Sequence, residues 1–184
     1  MVLSRVVRLD ENPAPLEYAE LPDPDPEDGE ILVRVAVCGV CHTELDEIEG
    51  RTPPPSLPVV PGHEIVGRVA SLGGGCTRFE IGQRVGIGWI HSSDGGDEEN
   101  LSEAFRATGR DVNGGYAEYA AVPERYAYPI PDIFSDAEAA PLLCAGGVGY
   151  RSLRLAGIRD GEILGLTGFG GSGHLVLQLA RHLY

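Results

Sequence analysis

Apolar and polar positions alternate in short runs over the first 130 residues, and each run stops at Gly, Pro or Asp. ILVRVAVCGV (Ile31–Val40) alternates and then turns apolar, and EIVGRVASLG, QRVGIGWI and GYAEYAAVP behave alike. Short runs of period two between turn residues read as strands, because successive strand side chains point to opposite faces. Many such strands in one segment predict a barrel-like β domain. PDPDPEDG (Pro22–Gly29) interrupts the pattern and reads as a surface loop, since proline removes ladder donors and acids resist burial. HTELDEIEG leaves room for one short helix, ended by Gly50.

The period changes after Pro131. Ser135 followed by Glu138 fits a helix cap with its reciprocal acid. DAEAAPLLCAGGVGYRSLRLAG then reads as helix, with Pro141 and the glycines at 146, 147 and 149 expected to break it into two pieces. GEILGLTG predicts a buried strand over Glu162–Thr167. Gly168, Gly170 and Gly173 follow it as G-x-G-x-x-G and open a last helix. Leu175, Val176, Leu179 and Leu183 recur there at helical spacing, so one face is apolar and expects a sheet to cover it. It is expected to lie on the strand Glu162–Thr167, to pair with another chain, or to fray.

Composition narrows the function classes. Fourteen Lys+Arg, all of them Arg, face 28 Asp+Glu, for a formal net charge of −14. Such a chain repels phosphate backbones and anionic lipid, so neither nucleic acid nor a membrane is an expected partner. The N-terminal MVLSRVVRLD is too short and too charged for a signal peptide, and no apolar stretch approaches membrane-spanning length. A soluble, cytoplasmic protein is expected. In a reducing compartment Cys38, Cys41, Cys76 and Cys144 are thiols or metal ligands rather than a disulfide framework.

Candidate chemistry lies in CGVCHTEL (Cys38–Leu45), PGHEIVG (Pro61–Gly67) and PLLCAG (Pro141–Gly146). Singly, each stretch is ambiguous. A C-x-x-C serves a redox pair or half a zinc site, and an isolated histidine is commonly a hydrogen-bonded core residue. Their order and spacing, ahead of a dinucleotide fingerprint, is what carries information.

G-V-C-H-T at 39–43, G-H-E at 62–64, G-G-Y-A-E-Y at 114–119, L-C-A-G at 143–146 and G-x-G-x-x-G at 168–173 occur in one order. With them the chain resembles the zinc-dependent medium-chain alcohol dehydrogenases over essentially its whole length. The resemblance implies a mainly β fold: a GroES-like, partly open β-barrel domain followed by the first β-α unit of a Rossmann (α/β) domain. The expected division is a catalytic domain over residues 1–150 and the start of the dinucleotide-binding domain over 151–184.

Carried over by position, the resemblance places one catalytic zinc on Cys41, His63 and Cys144, with Glu64 beside the metal as a group that binds in exchange with water. Two thiolates and an imidazole suit Zn²⁺, and three protein ligands leave a fourth position open; alcohol dehydrogenase is itself the standard example of this Cys₂His set. Cys38 reads as a structural thiol. Glu44 stands where the family usually carries Asp, hydrogen-bonding the zinc histidine. The implied reaction is NAD- or NADP-linked interconversion of an alcohol and an aldehyde or ketone. The proton leaves through Thr43, and Asp46 stands where many relatives place a relay histidine, so the outer relay is altered or absent. Trp89 matches an aromatic pocket wall, and a core tryptophan is the competing reading.

Gly168, Gly170, Gly171 and Gly173 are the expected cofactor-binding residues, and the acid that selects NAD lies about 20 residues beyond such glycines. The chain therefore reads as a shortened or partial dehydrogenase, incomplete as a catalyst, with homo-oligomerisation left open. Relatives hold a structural zinc on four cysteines near residues 91–105. Here Asp94, Asp97 and Ser102 occupy three of those positions, so a solvated acidic loop without structural zinc is expected in place of a metal or calcium loop. Two further readings stay open: a non-catalytic zinc-binding GroES-like module, and a zinc-independent quinone or enone reductase of the same superfamily, which the Cys41, His63 and Cys144 set argues against.

Overall fold

A computed structural model describes all 184 residues. Seven strands and four helices form: β1 (Glu30–Cys38), α1 (His42–Ile48), β2 (Ile65–Leu72), β3 (Arg84–Ile87), β4 (Ile90–Ser92), β5 (Arg106–Ala107), β6 (Tyr119–Pro123), β7 (Ala127–Pro129), α2 (Asp136–Ala139), α3 (Ala145–Ala156) and α4 (Gly171–Leu183). Five strands build one antiparallel sheet in the order β6-β1-β2-β3-β7, and β4 pairs with β5 separately. The runs that alternate in sequence are these strands, and the 22–29 segment is a loop.

The alternation sorts side chains to two faces. Ile31, Val33, Ile65, Val69, Val85 and Ile87 bury together on one face of the sheet. Val66, the neighbour of Ile65, turns to the other and meets Ala139, Ala140, Val37 and Leu143. A smaller cluster of Leu3, Ile48 and Val59 underlies α1. Full burial of the valine, leucine and isoleucine side chains among these contributes roughly 1.5–3 kcal/mol each. The second cluster matters most for chemistry, because it holds the turn that precedes Cys144 against β2.

The cap at Ser135 forms as expected: its side chain accepts from the Glu138 N–H, and Glu138 Oε2 accepts from the Ser135 N–H at 2.9 Å. The helical stretch after it is interrupted at Pro141, as expected, where α2 gives way to a 3-10 turn, but not at the glycines. A 3-10 turn spans Ala140–Leu143, the break falls at Cys144 (φ −123°, ψ −79°), and Gly146, Gly147 and Gly149 lie inside α3. Gly146 and Gly149 face α4, which packs on them. A Cβ at Gly149 would sit 2.6 Å from Val176 Cγ2, so only hydrogen fits between the two helices there.

That contact also corrects the expectation for α4, which docks on α3 through Leu175 and Val176. No strand forms over 162–167. The segment joins no sheet, and Ile163 is 99% exposed. A parallel strand is stable only with ladder partners and helices over both faces, and these 184 residues supply no strand to pair with it. α3 runs without interruption through residues 150 and 151.

Candidate metal centre

Three backbone features bring the site together. β1 ends at Cys38, and Cys41 is the N-cap of α1. His63 and Glu64 lead directly into β2, and Cys144 sits at the junction between the 3-10 turn and α3. One ligating atom from each of Cys41, His63, Glu64 and Cys144 lies within 4.8 Å of all the others. The two sulfurs are 3.9 Å apart. Cys38 stands outside this group; its sulfur fills the space beside Gly62 and Gly115, and burial pushes its thiol up to about 12.

His63 is 1% exposed, and its two nitrogens have different surroundings. Nδ1 lies 2.6 Å from Glu44 Oε1, whereas Nε2 is buried with no hydrogen-bond partner. A buried polar atom without a partner costs about 1–3 kcal/mol, so this one invites a ligand. Glu44, 2% exposed, also accepts the Cys41 N–H at 2.7 Å through Oε2. One carboxylate thus fixes two ligand-bearing residues.

Electrostatics bind the group further. Cys41 is drawn down to about 3 by the hydrogen bond from Cys144 first and by the nearby His63 imidazole next, against the opposing effect of burial. Cys144 moves up because its thiol donates to Cys41. Burial alone would lower His63, but Cys41 and Glu44 outweigh it and hold the imidazole at about 10. Burial raises Glu64. Two sulfurs, an imidazole nitrogen and a carboxylate converging on one point are a donor set that fits Zn²⁺.

Thr43 Oγ1 lies 3.5 Å from Cys41 Sγ, at the edge of the group. Asp46 is drawn away from it: its Oδ1 pairs with Arg51 Nε at 2.5 Å and stands 3.7 Å from His42 Nε2. Trp89 packs against Phe105 with ring centroids 4.9 Å apart, and its indole N–H is buried without a partner. Glu47 escaped notice in the sequence. It is 1% exposed on α1, and burial, then Glu44, pushes its carboxyl up to about 8. An acid in a charged helix reads as solvent-facing, and only its i+3 spacing from Glu44 hinted that both share the inner face.

In the acidic loop Asp94 Oδ1 accepts the Gly96 N–H at 3.0 Å, and the Ser93 hydroxyl donates to the Glu99 carbonyl at 2.8 Å. The Tyr126 hydroxyl donates to Glu99 Oε2 at 3.0 Å. At the other end of the chain, Gly168 has φ +83°, and Gly170 is the N-cap of α4 with open space where a Cβ would stand. Gly171 and Gly173 line the same crevice with Thr167 and Ser172. A glycine loop leading into a helix N-terminus presents backbone N–H groups to a phosphate, so these residues fit a dinucleotide pyrophosphate.

The profile of the alcohol dehydrogenase GroES-like domain matches residues 27–132. The chain belongs to the zinc-dependent medium-chain alcohol dehydrogenase family. It is 42% identical over 174 residues to an alcohol dehydrogenase of Geobacillus stearothermophilus, covering 91% of this chain and 52% of that protein. A solved NAD-dependent alcohol dehydrogenase superposes with a TM-score of 0.89 at 28% identity, over 98% of this chain and 54% of the other. A cinnamyl alcohol dehydrogenase from Sorghum bicolor gives 0.79 at 31% identity, over 88% and 50%. The chain spans about half the length of the curated relatives it matches. The family uses zinc and NAD(P), and no helix here is long and apolar enough to cross a membrane.

Proposed function

We propose that this chain carries the zinc site of an NAD(P)-linked alcohol dehydrogenase that interconverts an alcohol and an aldehyde or ketone by hydride transfer. The observation that carries the reading is the convergence of Cys41, His63, Glu64 and Cys144 on one point. Cys41, His63 and Cys144 would hold the metal, with Glu64 as the exchangeable fourth group. Bound there, zinc supplies Lewis acidity that eases loss of the proton from an alcohol hydroxyl. Glu44 keeps a proton on His63 Nδ1, so that Nε2 offers its lone pair to the site. The Thr43 hydroxyl both accepts and donates, which lets it take a proton from the substrate and pass it outward. Asp46, turned away from the ligand group and held by Arg51, is a carboxylate where many relatives place a relay imidazole.

Residues 1–150 are read as the catalytic domain and 151–184 as the beginning of the dinucleotide-binding domain, with Gly168, Gly170, Gly171 and Gly173 on the pyrophosphate. The test is steady-state oxidation of primary and secondary alcohols with NAD⁺ and NADP⁺. It uses a chimera whose second half comes from the Geobacillus stearothermophilus relative. The reading expects turnover that disappears with Cys41→Ser; a folded, zinc-loaded chimera inactive on every alcohol would contradict it. One observation favours a second reading, a metal-binding GroES-like module without catalysis. Residues 162–167, which lead into the glycine crevice, pair with no strand. The Cys41, His63 and Cys144 donor set counts against a zinc-independent reductase.

A further inference from the structure

The antiparallel pairing of β1 with β2 ends at Cys38 opposite Ile65, and one residue further the Gly39 N–H donates to the Glu64 carbonyl at 2.9 Å. Residues 39 and 64 therefore face each other at the end of the ladder, on the side where the metal ligands lie. A Cβ built on Gly39 would stand 2.0 Å from Glu64 Oε2, 2.9 Å from Glu64 Cβ and 3.0 Å from Glu64 Cδ. The Glu64 side chain is thus folded across the α-carbon of Gly39, in the volume that any other residue would fill. Gly39 is absent from the residues of positive φ, so its backbone does not demand glycine. What demands it is space.

We propose that Gly39 is a positioning residue of the metal centre: its missing side chain is the slot along which the Glu64 carboxylate reaches Cys41, His63 and Cys144. The inference rests on the proposed zinc site and deepens it by assigning what brings the fourth group into place. Gly39→Ala is compatible with the local φ, and rotation of the Glu64 side chain clears its Oε2 and Cδ, while the 2.9 Å contact with Glu64 Cβ is cleared by a few tenths of an ångström of backbone adjustment. The fold survives the substitution. The carboxylate leaves the slot, and the ligand group falls from four members to three.

The test is zinc affinity, measured by competition with a chromogenic chelator, for the wild-type chain, Gly39→Ala, Glu64→Ala and the double variant. Absorption spectra of the cobalt-substituted proteins are recorded alongside. Gly39→Ala and Glu64→Ala should each weaken zinc by about tenfold or more, in the range seen when a group that supports a metal site is lost. The double variant should bind within about twofold of Glu64→Ala alone, because only the Cβ–Cβ contact remains and no carboxylate is left to displace. Both single variants should shift the cobalt spectrum in the same way, which a general loss of stability would not do. Losses that multiply in the double variant, or a Gly39→Ala chain that binds as tightly as wild type while Glu64→Ala does not, would overturn the inference. Cys41→Ser separates the two levels of the argument. If it too keeps zinc, the metal centre itself is misassigned; if it loses zinc while Glu64→Ala keeps it, the centre stands and the role of Gly39 falls.

Discussion

Replacing Glu44 tests how the site is held before any metal enters. Its carboxylate accepts the Cys41 N–H at 2.7 Å and lies 2.6 Å from His63 Nδ1, with only 2% of the residue exposed. Glu44→Ala removes an N-terminal helix contact, worth about 0.5–2 kcal/mol, and strands a buried imidazole N–H, at about 1–3 kcal/mol. Some of this returns because a buried carboxylate no longer has to be desolvated, so a net loss of about 1–4 kcal/mol is expected for the metal-free chain. Zinc affinity should fall by about 10–100-fold, as it does when the outer partner of a ligating histidine is removed. Glu44→Asp is the informative companion. It is one C–C bond shorter, about 1.5 Å, and reaches the imidazole or the Cys41 N–H but not both. It should keep zinc affinity within a few-fold of wild type while losing part of the stability. Urea unfolding of metal-free protein and chelator competition measure the two quantities separately. If Glu44→Ala leaves both unchanged, the carboxylate is not what orients His63.

Three other outcomes follow from particular contacts. Gly149→Ala would place a methyl group 2.6 Å from Val176 Cγ2 and force α4 off α3, at about 1–3 kcal/mol of overpacking; hydrogen exchange across 171–183 should quicken, and unchanged protection would refute that contact. Glu47 titrates near 8 in the folded chain against an ordinary 4.5, so its contribution to stability is complete below about 4.5 and is lost as the pH climbs through 8. The melting temperature of metal-free Glu47→Gln should accordingly gain on wild type from pH 4.5 to 8.5, and a constant difference would show that Glu47 is ionised throughout. The 184-residue chain should bind NADH weakly and oxidise alcohols at no useful rate, since positioning both reactants supplies much of the rate. Micromolar NADH affinity by calorimetry, with normal turnover, would contradict this.

The sheet was legible because its strands alternate cleanly between Gly, Pro and Asp, and α1 and the Ser135 cap were legible from local chemistry alone. Residues 162–167 carry the pattern of a buried strand but form none, because a strand exists only through partners that local sequence does not contain. Pro141 interrupts the helix, but the glycines also expected to break it lie inside α3, for a related reason. Glycine weakens an isolated helix, yet here Gly149 is what lets α4 approach α3. At the site, residues far apart in sequence could be named from ordered motifs, but distances could not. Nothing local announces that Asp46 turns to Arg51 or that Glu64 lies across Gly39, and only its spacing from Glu44 hints that Glu47 is buried.

The central claim is that Cys41, His63 and Cys144 form one zinc site and that Cys38 has no part in it. Elemental analysis of protein purified without added metal tests it most directly, run on wild type beside Cys38→Ser, Cys41→Ser and Cys144→Ser. Wild type and Cys38→Ser should each carry about one zinc per chain, and the other two should carry little, because a hydroxyl replaces a thiolate in the ligand set. Two tightly held zinc ions in wild type would show that Asp94, Asp97 and Ser102 still anchor a metal, and equal loss in all three variants would place Cys38 among the ligands and contradict the account.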